Sequence, residues 1–324
     1  MKPCLLLGAC AFAWALGCSP PKDTGDAATS SSACQDRAYA NCNLVQACSP
    51  TALVIRYGTL ANCQSLLNQS CVAALTAPST GDTPAIAEAC ANTYTSDIMA
   101  IQSAVTKSTL CGNFLYDIDL PTECQAQPGS LSLGAACSAN AQCQSAWCSF
   151  PVGAACGTCA PMPSAGSPCA SNWPGSCPEG FYCASNNTCV NYAPVGTSCA
   201  VAPCQFSSVC VGGMCVMSAD TLNGPCLFAT GGCNFYDGLV CNAESATCVT
   251  AGLAQPRQAC GIVDNQSVSC VMGDCVRGIC VAWASLGGAC DLNGVQCAAD
   301  TRCIVTSDGS TTGTCMVSGS SVCN

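Results

Sequence analysis

The apolar and polar positions divide the chain into unlike stretches. After Met1-Lys2, the segment from Cys4 to Gly17 (CLLLGACAFAWALG) is apolar and uncharged, and Ser19-Pro20-Pro21-Lys22-Asp23 ends it with polar and helix-breaking residues. The run is shorter than the roughly 20 residues of a spanning helix and suits an export signal, so residues 1–17 are expected to be a signal peptide. Residues 18–33, mostly small and polar, read as a flexible tether. From Cys34 to Cys124 the pattern is helical. Cys34-x7-Cys42 and Cys63-x7-Cys71 each separate two sulfurs by about 800° of rotation, which returns them to one helix face. Residues Thr59 to Leu75 align Leu60, Cys63, Leu67, Cys71 and Ala74 on one stripe. Another helix is expected from Thr83-Pro84, where Thr caps and Pro suits the first position, and it carries Ile86, Cys90, Ile98 and Ile101.

Beyond residue 136 the cysteine intervals shorten and a repeat replaces the helical pattern. Units begin at Cys137, Cys169, Cys199, Cys226, Cys260 and Cys290 and fill residues 137–324. Each has the form Cys, gap, Cys, gap, Cys, gap, Cys. The units are Cys137, Cys143, Cys148 and Cys159; Cys169, Cys177, Cys183 and Cys189; Cys199, Cys204, Cys210 and Cys215; Cys226, Cys233, Cys241 and Cys248; Cys260, Cys270, Cys275 and Cys280; Cys290, Cys297, Cys303 and Cys315. Cys156 and Cys323 are extra, and their pairing is open. Gly134, Gly166, Gly196 and Gly287 stand three residues before the opening Cys, where a turn with positive φ is expected; the fourth and fifth units lack this glycine.

Composition then sets the architecture. The 324 residues include 37 Cys and no His, and only 6% are aromatic. A module of about 30 residues cannot bury enough apolar surface to fold alone, so crosslinks must take over. The expected fold is small and disulfide-rich. A disulfide-linked α-helical domain spans 34–124 and carries Cys34, Cys42, Cys48, Cys63, Cys71, Cys90, Cys111 and Cys124. About six tandem cysteine-rich modules with short β-hairpins follow, each touching mainly its neighbours. Four cysteines allow three connectivities, and spacing does not choose among them. A net charge of −10 opposes nucleic acid and anionic lipid surfaces. The lack of His removes Ser/His and Cys/His nucleophile pairs and most catalytic zinc sites, so neither a cofactor nor a metal is expected.

Ala15-Leu16-Gly17-Cys18 resembles the bacterial lipobox, in which the signal is cut before a Cys that then carries lipid. Removing Cys4 and Cys10 with the signal and assigning Cys18 to lipid leaves 34 cysteines, an even number that pairs completely. The first unit, with three close cysteines before Cys156-x2-Cys159, resembles the start of the Dickkopf N-terminal cysteine-rich domain, and the other units look like degenerate copies. The whole chain after residue 17 is similar to the cysteine-rich lipoproteins that myxobacteria and their relatives carry. That resemblance implies lipid anchoring through Cys18 and an exported, outer-membrane location facing periplasm or cell surface. It implies no activity, and Dickkopf receptor antagonism is not carried over.

Several residues are weighed for chemistry. Cys156-Gly157-Thr158-Cys159 has thioredoxin-type spacing, but Ala160-Pro161-Met162-Pro163 follows where a helix N-terminus is needed, so a structural role is expected. Asp117, Asp119 and Glu123 form the densest acidic cluster, ordinarily an exposed loop and otherwise a calcium site. Trp147, Trp173, Phe181, Tyr182, Phe235, Tyr236 and Trp283 lie in the units, and a ring beside a disulfide is expected to be a miniature core rather than a sugar platform. No Lys or Arg lies between Lys107 and Arg257, which opposes trypsin-type inhibition across at least the first three and a half units. Asn68, Asn186 and Asn265 open glycosylation sequons, relevant only for a eukaryotic source. The expectation is a non-enzymatic, surface-anchored binding, adhesion or spacer protein with a surface protein or glycan as partner. A disulfide-knot protease inhibitor and a thiol-disulfide oxidoreductase are the alternatives.

Overall fold

The computed structural model describes residues 29–101, 110–112, 114–115, 120–169, 177–178, 180–205, 208–219, 221–226, 232–305, 310–319 and 323. Four α-helices come first: α1 Ser30–Cys48, α2 Pro50–Tyr57, α3 Leu60–Thr76 and α4 Pro84–Ala100. Each is opened by a hydroxyl. Thr29, Ser49, Thr59 and Thr83 accept from the backbone N–H groups of Ser32, Ala52, Asn62 and Ile86, and Pro50 and Pro84 occupy the first turns of α2 and α4. The two sulfurs that spacing puts on one face of α1 meet the two of α3, as Cys34–Cys71 and Cys42–Cys63. The residue order makes the helices antiparallel. Cys48–Cys111 and Cys90–Cys124 fasten α1 and α4 to the segment after them. Between the sulfurs lies an apolar core of Leu44, Val45, Leu53, Tyr57 and Tyr94.

The helical region starts earlier than expected. Residues 30–33 belong to α1, where Ala33 is fully buried and Ser32 and Thr29 form a reciprocal capping box. A tether reaching residue 33 is therefore corrected. Its remainder and the expected signal and Cys18 lie outside the described residues.

Each unit carries one hairpin that joins its third and fourth cysteines; a third strand joins it in the first and sixth units, and the fifth has a separate three-stranded sheet of Gly252–Ala254, Gln266–Cys270 and Gly261–Val263 whose first pair is parallel. The hairpins are Cys148–Ser149 with Gly157–Cys159, Phe181–Cys183 with Cys189–Asn191, Ser208–Val211 with Met214–Met217, Leu239–Asn242 with Thr247–Thr250, Gly273–Val276 with Ile279–Ala282, and Thr301–Ile304 with Thr312–Val317. In every one the third and fourth cysteines are direct cross-strand partners, yet they do not bond to each other. They bond first to third and second to fourth, for example Cys199–Cys210 with Cys204–Cys215 and Cys290–Cys303 with Cys297–Cys315. This resolves the connectivity that spacing left open. A bond within the hairpin would tie two residues already paired by the backbone, whereas the observed bonds staple two separate loops onto it.

The residue three before the opening Cys donates its N–H to the carbonyl of the fourth Cys in all six units: Gly134 to Cys159, Gly166 to Cys189, Gly196 to Cys215, Asn223 to Cys248, Arg257 to Cys280 and Gly287 to Cys315. All six have φ between 65° and 86°. Glycine is the natural occupant, and Asn223 and Arg257 hold the same conformation where it is missing.

Contact reaches well beyond neighbouring modules. The array turns back on the helices and closes on itself. Repeat 1 bonds to the loop before α4, through Gly81 N–H to Ala141 O (2.7 Å) and Gln142 Nε2 to Pro78 O (2.7 Å). The helix α2 carries much of the rest, while α3 meets the Thr312–Val317 strand of repeat 6. Helix α2 packs against the short 3₁₀ turn Phe235–Asp237 of repeat 4, receives Met272 N–H of repeat 5 on Ile55 O, and donates Tyr57 OH to Asp300 Oδ2 of repeat 6 at 2.6 Å. Repeat 6 meets repeat 1 through Val305 N–H to Gly153 O and Gly319 N–H to Ser138 O, both 2.8 Å. The reason is geometric. Each unit leaves apolar and backbone groups that its two cystines cannot cover, and the helical domain supplies a surface large enough to satisfy them.

Candidate functional site

All 34 cysteines from Cys34 to Cys323 are paired, in 17 disulfides. This decides the thiol chemistry. Cys156 bonds to Cys323 across a sequence separation of 167, and Cys159 bonds to Cys143, so Cys156-x2-Cys159 is not a dithiol pair. Groups of three sulfurs lie within 4.8 Å of one another, such as Cys137, Cys143 and Cys148, but each sulfur is committed to a disulfide and offers no thiolate to a metal. The same oxidation implies an exported chain. Among the described residues no helix is long and apolar enough to cross a membrane.

Cys156–Cys323 is the single crosslink between the first and last repeats. Around it, Gly153 lies so close to Leu292 and Val305 that an added Cβ would stand 3.1 Å from both. Arg302 of repeat 6 lays its guanidinium over the Phe150 ring of repeat 1, 3.6 Å from the centroid. Its Nε and Nη1 are buried without a hydrogen-bond partner, and burial lowers its pKa to about 10. The contact spans a seam that sequence reading did not anticipate.

The other candidate groups are dispersed. Asp117 and Asp119 lie outside the described residues. Glu123 accepts from Thr93 Oγ1, and this hydrogen bond holds its carboxyl below the usual range; burial first and the neighbouring Glu123 second raise Asp97. Trp283 donates Nε1 to Asp274 Oδ2 at 2.8 Å and is half-buried. Trp147 is half-buried too, whereas Tyr182 is 42% exposed. The miniature-core reading is corrected for Tyr182. A residue next to a strand cysteine points to the opposite sheet face, so its ring leaves the cystine and packs near Tyr192, centroids 6.2 Å apart. Trp173 and the Tyr236 side chain are outside the described set. The exposed basic residues Arg257 and Arg277 both have positive φ in tight turns, so the backbone folds back there instead of extending into a protease cleft.

Sequence reading missed α2, the docking element; its signal was Ser49-Pro50, a cap followed by Pro at the first position, ahead of Leu53 and Tyr57. It also missed a cleft of about 240 Å³ between α1 and α3, which Arg37 and Asp82 line together. No protein-family profile, curated protein or solved structure matches the chain.

Proposed function

We propose that the chain is an exported, non-enzymatic binding protein, lipid-anchored through Cys18 at the outer membrane, with its ring of modules as the display surface. The observation that supports this best is the complete consumption of Cys34 to Cys323 in structural crosslinks, which leaves the most reactive side chain in the sequence with no chemistry to perform. Ring closure favours a compact scaffold over an extended spacer. Repeats 2 and 3 offer the freest surface. Among the described residues no backbone hydrogen bond ties them to the helices, and Val201, Met214, Met217 and Leu222 are exposed there, suited to weak contacts with a surface protein or glycan. Acyl chains at about 0.8 kcal/mol per buried methylene would make anchoring durable.

Crosslinking on intact cells, read by mass spectrometry of the crosslinked products, tests the binding role: products formed by the native chain should be lost in a Met214→Asp, Met217→Asp double variant. Intact mass of the mature protein tests the anchor, and an unmodified N-terminus, or one other than Cys18, sinks it. Stoichiometric protease inhibition would overturn the display role, and disulfide reductase turnover lost on Cys156→Ser would overturn the non-enzymatic reading.

A further inference from the structure

The cleft between α1 and α3 has walls fixed by covalent bonds. Arg37, Ala38 and Asn41 line it from α1, and Leu67, Ser70 and Ala74 from α3. Cys34–Cys71 closes the helix pair at this end, and Cys90–Cys124 holds the segment carrying Cys124 and Ala126 that forms another side. Asp82, from the connection between α3 and α4, completes the lining. Alanines at 38 and 74 leave the space open, since a longer side chain at either position would enter it.

Two opposite charges share this small volume without forming an ion pair with each other. Arg37 donates Nη2 to the carbonyl of Cys124 at 2.9 Å, which uses one of its five N–H donors. Asp82 accepts from the backbone N–H of Gln127 on Oδ1 at 2.9 Å, and among the described residues no donor reaches its Oδ2. Burial raises the pKa of Asp82, more than the Gln127 hydrogen bond and the nearby Arg37 charge lower it, so the carboxylate is under-compensated. Asn41 and Ser70 add neutral hydrogen-bonding groups to the lining.

We propose that this cleft binds a small zwitterion, with the carboxylate on Arg37 and the ammonium on Asp82. The chemistry is that of a free α-amino acid or of a short peptide bearing both termini. A monovalent ion would satisfy one charge and leave the other, whereas one molecule with both ends satisfies the pair. The disulfide-fixed walls lower the ordering cost that weakens small-ligand binding. The site does not depend on the surface partner proposed for the repeats, so either idea can fail alone.

Calorimetric titration of the oxidised, full-length mature protein tests it, with glycine and L-serine as free amino acids and glycylglycine as the peptide. Saturable binding below about 10 mM is expected for at least one of the two sources, and which one binds identifies it. N-acetylglycine, which lacks the ammonium, and glycinamide, which lacks the carboxylate, should each bind about tenfold or more weakly. Arg37→Met and Asp82→Asn should weaken binding similarly, and Asn at 82 still accepts from Gln127. Ala74→Leu, which fills the cleft and spares both charges, should abolish binding while the thermal melt and disulfide map stay native. No saturable binding by any of the three probes, or binding unchanged in both charge variants, overturns the proposal.

Discussion

The helical domain and the repeats use the same bond for different ends. Around its four disulfides the helical domain buries Leu44, Val45, Leu53, Tyr57 and Tyr94, side chains that would favour collapse without any crosslink. The repeats have a smaller reserve, such as Leu239 in repeat 4 and Ile304 in repeat 6. The centre of repeat 1 is Cys137, Cys143, Cys148 and Cys159, with Leu131 and Phe150 only partly buried at its margin, and repeat 3 centres on Ala193, Cys204 and Cys215. In the first region a disulfide fixes a packing that burial already favours. In the second it replaces the packing.

Reduction should separate the two regions most sharply. Treatment with a dithiol reductant in native buffer removes two crosslinks per repeat, typically about 2–4 kcal/mol each, from modules with little else to hold them. Hydrogen exchange should show loss of protection at the hairpin amides of Val209 to Val216 while the amides of α1 and α4 stay protected. Simultaneous loss in both regions would mean that the helices depend on their cystines as fully as the repeats do.

Truncating an aliphatic side chain should give the opposite ranking. Leu44, 1% exposed, sits in the helical core, and Leu44→Ala should cost about 2–5 kcal/mol in chemical denaturation. Val190→Ala, a half-buried residue paired with the exposed Tyr182 in the repeat 2 hairpin, should cost about 1 kcal/mol or less. Comparable costs would show that repeats carry more of their stability in aliphatic contacts than their cystine centres suggest.

The seam between first and last repeats tests the comparison at its boundary. A loop of 167 residues is worth about 5 kcal/mol to close in the chain-entropy picture, though the intervening crosslinks shorten the open path. The double variant Cys156→Ser, Cys323→Ser should therefore lose about 2 kcal/mol. Exchange should increase at Val305 N–H and leave the hairpins unchanged. If hairpin protection falls as well, the modules depend on ring closure for their own folding.

How far the sequence could reach follows from where each signal is written. Helix faces, caps and module starts are local: Cys34 and Cys42 lie on one face by rotation alone, and Thr83-Pro84 opens α4 as its residue types require. The partition of cysteines between helices and modules is legible for the same reason. The 1–3, 2–4 pairing is not, because three connectivities have the same spacing. Docking on α2 is written in contacts such as Tyr57 with Asp300, separated by 243 residues, and no periodicity records it. The cleft was hidden likewise, since Arg37 and Asp82 stand on different elements and read singly as surface charges.

The smallest expected effect concerns the turn that opens each repeat. Arg257 is exposed and has φ 73°, in a position where four of the six units carry glycine and a fifth carries Asn223. A left-handed backbone costs a residue with a Cβ roughly 1–2 kcal/mol, while glycine gives back part of this through its freer unfolded chain. The hydrogen bond that defines the turn, Arg257 N–H to Cys280 O at 2.8 Å, uses only the backbone and survives the change. Arg257→Gly should thus stabilise repeat 5 by about 0.5–1 kcal/mol, read as slower exchange at Cys280 N–H. The mirror change, Gly287→Arg in repeat 6, should destabilise by a similar amount through backbone strain alone, because a Cβ there meets nothing within 4 Å. Should Arg257→Gly instead weaken repeat 5, the arginine side chain would be holding the turn, and the equivalence of the six openings would not extend to their energetics.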